Sequence, residues 1–544
     1  MPTLDWIGKD KVINHHLDVP YRVLERQYSF GVDGQRSEDN GSDNMIIHGD
    51  NLEALKALLP QYESRIKCIY IDPPYNTGNE SWVYNDNVND PRMRKWLGQV
   101  VGSESEDLSR HDKWLCMMYP RLKLLHRLLA EDGAIFISID DNELYNLKMI
   151  CDEIFGVNNY IDRLTVIVKT EGRRYGSFAK THENILVYAK KISLFDANEI
   201  EIEGKEYQYK DAIGGFNLKG LRNRNVKAFN STNRPNLRYP FYVDIENPDK
   251  NGLCSVSVTP NKNYVEIWAL TVDGLESVWR WGKEKAQTQI NELCSYKGKD
   301  GIIRIFQKER KLSETAKTVW IDKKFTSIFG TKELQSIFDK SVFNFPKPKA
   351  LVEQILQIAT DENSVILDSF AGSGTTAHAV LNMNKSDGGN RRFILIEMMD
   401  YADSITAERV KRVIQGYGEG KKSVEGTGGD FSYYELGDKL LEGEYLNESI
   451  PVEKIRTYVY FTETKQKTTS NPEEPYQLGV HLDTAYYFYY ERDAVTTLDR
   501  AFLHTVKTKA NAYVIYADRC ILSDEELEKY HITFKKIPRD ITRL

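Results

Sequence analysis

The stretch that decides the fold reads Lys67-Cys68-Ile69-Tyr70-Ile71-Asp72-Pro73-Pro74-Tyr75-Asn76-Thr77-Gly78. Its first half is an apolar, β-branched run typical of a buried strand. The strand is predicted to end at Asp72, because the two prolines that follow lack a backbone N–H and Pro74 disfavours a helical Pro73. We therefore expect Asp72 and Tyr75 to project from the carboxyl end of a strand, where open α/β sheets bind ligands.

The residues of this turn predict a clamp for a planar amine. The Asp72 carboxylate and a backbone carbonyl of the two prolines are acceptors held close together, which suits an exocyclic amine with two N–H donors. Tyr75 adds a flat face on which a base can stack. An unstacked adenine or cytosine fits both features. The alternative is a strand followed by an ordinary Asp-Pro turn, with Tyr75 as a half-buried wall.

A second stretch, residues 364–380, reads SVILDSFAGSGTTAHAV and predicts a strand, a loop of small residues and the start of a helix. No lysine follows Gly374, so this is not a phosphate-binding P-loop. A further strand, residues 392–397, ends in Glu397, where an acid is placed to accept hydrogen bonds from a ribose diol. The loop and the acid predict a cofactor that contains adenosine, with nicotinamide cofactors still allowed.

Together, the two stretches resemble the amino-methylating DNA methyltransferases that use S-adenosylmethionine. The family signatures D/N/S-P-P-Y/F/W and F-x-G-x-G stand here as Asp72-Pro73-Pro74-Tyr75 and Phe370-Ala371-Gly372-Ser373-Gly374. The catalytic signature comes first, which is the permuted order of the family's β group. The longer forms, residues 71–78 and Phe345-Pro346-Lys347-Pro348, resemble the Mod subunits of type III restriction–modification systems.

This resemblance implies a fold, a reaction and a set of site residues. The fold is α/β, a Rossmann-like methyltransferase sheet built from two halves of the sequence. The catalytic residues are Asp72, Pro73, Pro74 and Tyr75, and the reaction is methyl transfer to the amine of a flipped base. Adenine N6 is favoured over cytosine N4, because in the family an Asp in the first position goes mostly with adenine. The residues implied to bind the cofactor are Asp50, Lys347, Pro348, Asp368, Phe370, Ala371, Gly372, Ser373, Gly374 and Glu397.

Two of these cofactor assignments carry more specific expectations. In the family the position of Asp50 lies near the adenine of the cofactor, so Asp50 is expected to bind its amino group. A helix N-cap is the alternative for Asp50, and both roles are compatible. The segment that contains Lys347 and Pro348 is expected to line the methionine end of the cofactor.

Composition limits the remaining possibilities. The chain has 544 residues, a net charge of −7 and 41% hydrophobic residues, enough for several cored domains. Its six cysteines are scattered without a C-x-x-C pair, which fits a cytoplasmic protein without zinc or disulfides. We expect no membrane segment, because no uncharged run reaches roughly 18 residues. Asp140, Asp141 and Glu143 are interpreted as a helix N-cap with first-turn acids, and no metal site is expected.

A DNA-binding protein with this acidic total must concentrate its basic residues locally. Residues 191–340 lose the regular α/β alternation and carry a basic cluster with interleaved aromatics. The insert falls where the family carries its target-recognition domain, whereas charge alone also fits a solvated loop or another acidic partner. The expected DNA contacts are Arg222, Arg224, Lys227, Arg234 and Arg238. A polar loop after Gly78, with Trp82 and Tyr84, is a candidate lid over the base, or an ordinary surface loop.

The expected organisation follows from these assignments. The segments are an N-terminal extension (1–43), a catalytic half (44–190), a target-recognition insert (191–340), a cofactor-binding half (341–417) and a C-terminal α/β module for dimerisation or partner docking (430–544). Double-stranded DNA, a helicase–nuclease restriction subunit and a second copy of the chain are the expected partners. The alternatives are N4-cytosine methylation, an RNA- or protein-methylating relative, a nicotinamide oxidoreductase and a non-catalytic DNA-specificity subunit.

Overall fold

The computed structural model describes residues 3–77, 110–171, 173–174, 177–202, 206–466, 468–469 and 471–539, with the single positions 95 and 99. The chain divides into two compact units, one formed by Met1–Asn198 with Ala316–Leu544 and the other by Glu199–Thr315. The candidate lid with Trp82 and Tyr84 lies outside the described residues.

The first unit is built on an eleven-stranded sheet. The central strands of this sheet are rich in apolar residues and buried on both faces, as expected of a sheet covered by helices. In chain order the strands are β1 (Arg22–Gly31), β2 (Gly34–Arg36), β3 (Met45–His48), β4 (Ile66–Ile71), β5 (Leu129–Ile139), β6 (Tyr160–Ile167), β7 (His182–Ala189), β8 (Val319–Trp320), β9 (Val365–Asp368), β10 (Arg392–Glu397) and β11 (Asp430–Lys439).

The spatial order of the strands is β2-β1-β11-β3-β10-β9-β4-β5-β7-β6-β8. The run from β11 to β5 is parallel, so its carboxyl ends lie at one edge. Strand β9 pairs directly with β4, with Leu367 opposite Ile69. The Asp72 turn and the glycine loop therefore leave neighbouring strands at the same edge. The predicted Rossmann-like sheet from two halves of the sequence is confirmed.

Helices between the strands complete the core of this unit. They are α1 (Asn51–Tyr62), α2 (Arg110–Leu128), α3 (Leu144–Phe155), α4 (Ser327–Phe338), α5 (Lys349–Ala359), α6 (Thr375–Asp387) and α7 (Glu408–Gln415), with a π-helical turn at Ala402–Ala407. Apolar residues at helical spacing on α2, such as Leu122 and Leu125, pack with Ile69 and Ile137 of the sheet. None of the helices in the described part of the chain has the length and apolar character needed to cross a bilayer.

The boundaries differ from the expected segments at three places. The supposed N-terminal extension supplies β1 and β2, and residues 430–439 supply β11, so both chain ends extend the main sheet. The strands β1 and β11 pair antiparallel along their length, from Arg22 opposite Lys439 to Gly31 opposite Asp430. The insert is also shorter than residues 191–340, because β8 and α4 belong to the first unit and the second unit ends at Thr315.

The second unit, Glu199–Thr315, is mostly β-structure. A four-stranded antiparallel sheet contains Tyr209–Lys210, Gly215–Gly220, Ile303–Glu309 and Leu293–Lys297, and a three-stranded sheet contains Val256–Ser257, Phe241–Val243 and Val265–Ile267. Aromatic residues form much of its core, including Tyr239, Phe241, Trp279 and Trp281. A single short helix of the described residues, Lys283–Thr288, packs on this core.

After β11 the first unit continues into a smaller α/β region. Its four-stranded mixed sheet contains Gln477–His481, Thr484–Phe488, Ala512–Ala517 and Ile532–Lys536. The helix Val452–Thr464 packs beside this sheet and also contacts α1. The α/β character predicted for the C-terminal module is thus present, although its first strand belongs to the main sheet.

Candidate functional site

The Asp72 turn leaves β4 as the two prolines predict. The Pro74 carbonyl accepts a hydrogen bond of 2.7 Å from the Trp114 indole N–H, and Trp114 is fully buried on α2. The Pro74 carbonyl is therefore already engaged. This favours the Pro73 carbonyl as the backbone acceptor beside Asp72.

Next to the prolines, Asn76 has a left-handed backbone with φ of 57° and is buried. Its side-chain amide donates to the fully buried Glu143 carboxylate at 2.5 Å. Glu143 also binds His111 at 2.6 Å, so α2 and α3 hold the end of the turn in place. The interpretation of Glu143 as a first-turn acid is wrong, since it precedes α3 and makes no capping bond, whereas Asp140 does accept the backbone N–H of Asn142.

Three side chains converge on Asp72 at the edge of the sheet. Lys347 Nζ lies 3.4 Å from Asp72 Oδ1 and 2.5 Å from Glu183 Oε2, and the side chains of Asp72 and Lys347 are only 12% and 14% exposed. Lys347 Nζ also donates to the Tyr75 hydroxyl at 2.5 Å, and that hydroxyl donates to Glu183 at 3.1 Å. Asp72 Oδ1 is buried and accepts no hydrogen bond from the described residues.

Burial and charge shift the pKa values of this cluster in opposite directions. Burial raises the pKa of Asp72 above its usual value and Glu183 raises it further, whereas the Lys347 ammonium lowers it. Burial by itself lowers the pKa of Lys347, but the carboxylates of Asp72 and Glu183 more than offset this and raise it. Lys347 therefore stays charged beside Asp72.

The glycine loop after β9 has the left-handed backbone that glycine allows. Gly372 and Gly374 have φ of 52° and 80°, in the left-handed region. A Cβ at Gly374 would lie 3.0 Å from the Thr406 carbonyl, and the Thr406 hydroxyl donates to the Gly372 carbonyl at 2.6 Å. Behind the loop, the fully buried Arg409 donates to Ser373 and Thr375. These contacts fix the loop at the start of α6.

Asp368 and Glu397 are buried acids that flank this loop. Asp368 accepts from the Phe370 N–H at 3.0 Å and from the Thr376 hydroxyl at 2.6 Å. Glu397 accepts from the backbone N–H of Gly372 at 2.8 Å and of Met399 at 3.0 Å. Burial raises the pKa of each carboxyl to about 7, and the charge of Asp72 adds to the shift at Asp368. Each carboxyl is thus poised between its protonated and ionised forms near neutral pH.

One residue joins the two motifs. The Lys347 carbonyl accepts a hydrogen bond of 3.2 Å from the Thr375 hydroxyl, beside Gly374, while its side chain reaches Asp72. The segment before α5 thus bridges the Asp72 turn and the glycine loop. The structure directs the Lys347 side chain toward the predicted base clamp, whereas Pro348 is buried at the start of α5.

The other residues expected at the cofactor lie around the same edge. Asp50 is the N-cap of α1, where Oδ1 accepts from the backbone N–H of Leu52 at 2.9 Å and Oδ2 lies 3.4 Å from Arg121. Its side chain is 32% exposed, which leaves room for a further contact. Ala371 donates its N–H to the Ile396 carbonyl, and Phe370 packs against the main core.

In the second unit, the five basic residues that we expect to contact DNA differ in their exposure and in their partners. Arg224, Lys227 and Arg234 are exposed. Arg222 and Arg224 make no ion pair with any described residue, and they line a cavity of about 230 Å³ together with Arg304 and Trp268. In contrast, Arg238 donates to the Ala269 and Ser277 carbonyls and pairs with Glu276, so its guanidinium is bound to the unit's own backbone.

The sequence does not identify two residues that contact the Asp72 turn. Glu183 is the second residue of β7 and carries no recognisable motif, and Trp114 is predicted as a core residue of α2. Both reach the Asp72 turn through tertiary packing. The sequence offers one signal for Glu183, which is an acid near the start of a buried strand. Such acids are too common to single out this residue.

The chain matches the family described as N6_N4_Mtase, DNA methylase, over residues 66–408. It belongs to this DNA methylase family. The matched sequence includes both motifs of the sheet edge and the residues of the second unit, which lie between the motifs in the sequence. Membership of the family was predicted from the two signatures and is confirmed.

Named relatives agree with this assignment. The chain is 34% identical over 421 residues to the type III restriction–modification enzyme EcoPI Mod subunit of Escherichia phage P1, covering 73% of this chain and 63% of that protein. It is 33% identical over 382 residues to the type II methyltransferase M.KpnI of Klebsiella pneumoniae, covering 69% of this chain and 85% of that protein. It is 32% identical over 440 residues to the StyLTI Mod subunit of Salmonella typhimurium, covering 75% and 62%. The chain thus spans less than two thirds of the length of the two Mod subunits.

Proposed function

We propose that this DNA methylase transfers a methyl group from S-adenosylmethionine to the N6 amine of a flipped adenine at a specific site in double-stranded DNA. We further propose that it is the modification subunit of a type III restriction–modification system. The observation that carries the proposal is the adjacency of two motifs. The Asp72 turn and the glycine loop leave paired strands at one sheet edge, and Lys347 contacts both.

The residues of the loop fit the methyl donor. The Ser369 hydroxyl is buried without a hydrogen-bond partner among the described residues, at the point where β9 enters the loop. Glu397 lies against the same loop, where its carboxylate accepts from the backbone amides of Gly372 and Met399. When bound, S-adenosylmethionine supplies an electrophilic methyl group on a positively charged sulfur. The Gly372 loop, Ser369 and Glu397 are the residues proposed to hold it.

The chain's own groups position the other reactant. Asp72 and the Pro73 carbonyl accept the two N–H donors of the target amine, which turns the nitrogen lone pair away from the base ring. Tyr75 provides the stacking face, with its hydroxyl held by Glu183 and Lys347. Flipping the base out of the duplex costs a few kcal/mol, roughly. These contacts offset that cost and hold the nitrogen for in-line attack.

The atoms of the reaction balance without another co-reactant. A bond forms between the amine nitrogen and the methyl carbon as the carbon–sulfur bond breaks, and the sulfur keeps that electron pair. The nitrogen then carries an extra proton, and Asp72 is the nearest acceptor for it. The amine becomes acidic as the methyl group arrives, so Asp72 need not remove a proton beforehand.

The second unit is proposed to read the DNA site. Arg222 and Arg224 have guanidiniums without a carboxylate partner among the described residues, and Trp268 beside them is 42% exposed. Unpaired arginines and an exposed aromatic are suited to phosphate and base contacts. Association with a restriction subunit follows by analogy with the Mod relatives, and a homodimer joined through the C-terminal region is also proposed.

Two other functions stay as candidates. Methylation of cytosine N4 uses the same clamp, since both bases present an exocyclic amine. A non-catalytic DNA-specificity subunit would need the DNA-binding unit but not the buried Asp72 cluster. The completeness of that cluster favours an enzyme.

The test is sequencing of genomic DNA for modified bases in cells with and without this gene. The proposal predicts N6-methyladenine at one defined sequence that disappears when the gene is deleted. Modified cytosine at such a site would assign the alternative base. Identical modification with and without the gene would reject methylation of genomic DNA by this protein.

A further inference from the structure

The Asp72 site contains one ammonium among several acidic groups. Five groups of the described residues interact electrostatically with Asp72: Tyr70 on β4, Tyr75 in the turn, Glu183 on β7, Asp368 on β9 and Lys347 before α5. Among these described residues Lys347 is the cation, and the others are carboxyls or phenols. The charge state of Asp72 therefore depends on Lys347.

The position of the ammonium leaves Asp72 Oδ1 without a hydrogen bond from the described residues. Lys347 Nζ is 2.5 Å from Glu183 Oε2 and from the Tyr75 hydroxyl, but 3.4 Å from Asp72 Oδ1. Asp72 Oδ1 accepts no hydrogen bond from the described residues. Lys347 thus provides a positive charge near Asp72 while its hydrogen bonds go to Glu183 and Tyr75. A target amine that reaches Asp72 therefore does not compete with an existing hydrogen bond to Oδ1.

We infer that Lys347 is a positioning residue that keeps Asp72 ionised as an acceptor for the target amine, and that Glu183 holds Lys347 in place and limits its influence on Asp72. The inference rests on the proposed function. It concerns the base clamp, whereas the resemblance placed Lys347 at the methionine end of the cofactor. The main-chain bond from Thr375 to the Lys347 carbonyl makes the position of the lysine depend on the glycine loop.

Neutralising Lys347 and neutralising Glu183 should have opposite effects on the ionisation of Asp72. Without the Lys347 ammonium, burial and the remaining acids favour a protonated Asp72, which is a poorer acceptor. Neutralising Glu183 removes a negative charge and favours the ionised Asp72. A neighbouring opposite charge shifts the pKa of a carboxyl by about 1 to 3 units. The two substitutions must therefore move the pH dependence of the reaction in opposite directions.

The first experiment measures single-turnover methyl transfer against pH, on a duplex taken from a genomic site that the protein modifies. Lys347→Met should shift the acid limb of the pH–rate profile, where the rate rises as Asp72 ionises, upward by about 1 to 3 pH units. The rate should therefore fall at neutral pH and recover in alkaline buffer. Glu183→Gln should move the acid limb downward. The double variant should be faster than Lys347→Met at pH 7, because the two charge changes compensate. Lys347→Arg should retain most of the wild-type profile.

The second experiment measures binding without chemistry. Wild-type protein should bind the duplex more tightly when the target base is adenine than when it is purine, which lacks the 6-amino group. Lys347→Met should lose this difference at pH 7 and regain it at pH 9. The matched control is Lys349→Met, two residues further on, whose ammonium faces Glu353 and Glu333. Lys349→Met should leave unchanged both the acid limb of the pH–rate profile and the preference for adenine over purine.

The outcomes separate this inference from the proposed function. If wild-type protein transfers no methyl group, the proposed function fails. If it does, but Lys347→Met is slow at every pH with an unmoved limb, Lys347 is merely structural and the inference is wrong. A slower double variant than Lys347→Met at pH 7 would equally overturn it.

Discussion

The sheet edge that carries Asp72 in the first unit and the basic cluster of the second unit use charge in different ways. At the Asp72 edge, Lys347 is largely buried and contacts two carboxylates at once. In the second unit, Arg222 and Arg224 face a cavity and pair with no acid of the described residues. At the Asp72 edge the buried charges pair with each other, whereas Arg222 and Arg224 have no carboxylate partner among the described residues.

The difference supports the roles proposed for the two regions. Buried charges that satisfy each other fix a geometry to within a hydrogen-bond length, which is what positioning a reacting atom requires. Uncompensated surface charges attract an acidic polymer at a distance and tolerate changes in its position. Other basic residues of the second unit show the contrast again, since Lys308 and Arg310 both pair with Asp211. Such paired residues serve the fold, so counting basic residues does not locate the DNA surface.

The largest expected effect is on the rate of methyl transfer and comes from a substitution in the first unit. Asp72→Ala should lower the rate of methyl transfer by about a thousandfold, because it removes an acceptor that contacts the reacting amine. DNA affinity and cofactor affinity should change little. Transfer of a tritiated methyl group measures the rate, and calorimetry measures cofactor binding. Equal rates for the variant and the wild type would remove Asp72 from the reaction.

A second substitution tests the cofactor half of the edge. Gly374→Ala forces a side chain into a left-handed backbone and brings Cβ to 3.0 Å from the Thr406 carbonyl. We expect the affinity for S-adenosylmethionine to fall roughly tenfold to a hundredfold, since the loop must shift.

The matched control is Gly388→Ala at the other end of α6. It also has a positive φ, of 75°, but a Cβ there meets nothing within 4 Å. It should cost stability through backbone strain without weakening cofactor binding. Equal losses of affinity in both variants would mean that the loop does not hold the cofactor.

The corresponding test of the second unit is Arg222→Ala with Arg224→Ala. DNA affinity should fall roughly tenfold, and the slope of log affinity against log salt should become shallower by about 2, because each arginine is expected to neutralise one phosphate. The turnover rate at saturating DNA should not change. Fluorescence anisotropy at several salt concentrations measures both affinity and slope. Arg519→Ala, at an exposed arginine of the C-terminal region, is the control and should alter neither. An unchanged slope in the double variant would place the DNA surface elsewhere.

The smallest expected effect concerns pH. The pKa of Glu397 is about 7 in the free protein, and ribose hydroxyls donate to its ionised form, so cofactor binding must lower that pKa. Affinity should then rise with pH up to about 7 and level off above it, and be up to about tenfold weaker at pH 6 than at pH 8. Calorimetry at both values checks this.

Two variants assign the source of that pH dependence. Glu397→Gln should remove it, because the side chain no longer titrates. Asp368 also has a pKa of about 7, so Asp368→Asn measures its share. A pH dependence that survives both substitutions would exclude these two carboxyls as its origin.

Much of the fold and the centre of the site could be predicted from the sequence. Abrupt ends of buried strands at Asp72 and Asp368 place both motifs at the carboxyl edge of a parallel sheet. The two signatures then identify the family. The positive φ of Gly372 and Gly374 also follows from the residue type, because glycine is the residue that adopts it without steric cost.

The remaining features depend on tertiary packing. The ends of β1 and β11 carry no signal that they pair with each other, since they are about four hundred residues apart in the chain. Similarly, Glu183 and Lys347 meet Asp72 only because β7 and the segment before α5 are brought to the same edge. Arg238 looks like its basic neighbours in sequence, and its bonds to two carbonyls become visible only in the fold.

The most direct test of the central claim is a crystal structure of the protein with sinefungin, in which an amine takes the place of the transferable methyl group. If the two motifs form one site, sinefungin lies against the loop of Gly372 and Gly374. Its amine then points toward Asp72 at about 6 Å, the sum of a hydrogen bond to the target nitrogen and the distance for in-line attack. An analogue bound at another edge of the sheet, or with its amine more than about 10 Å from the Asp72 carboxylate, would contradict the account.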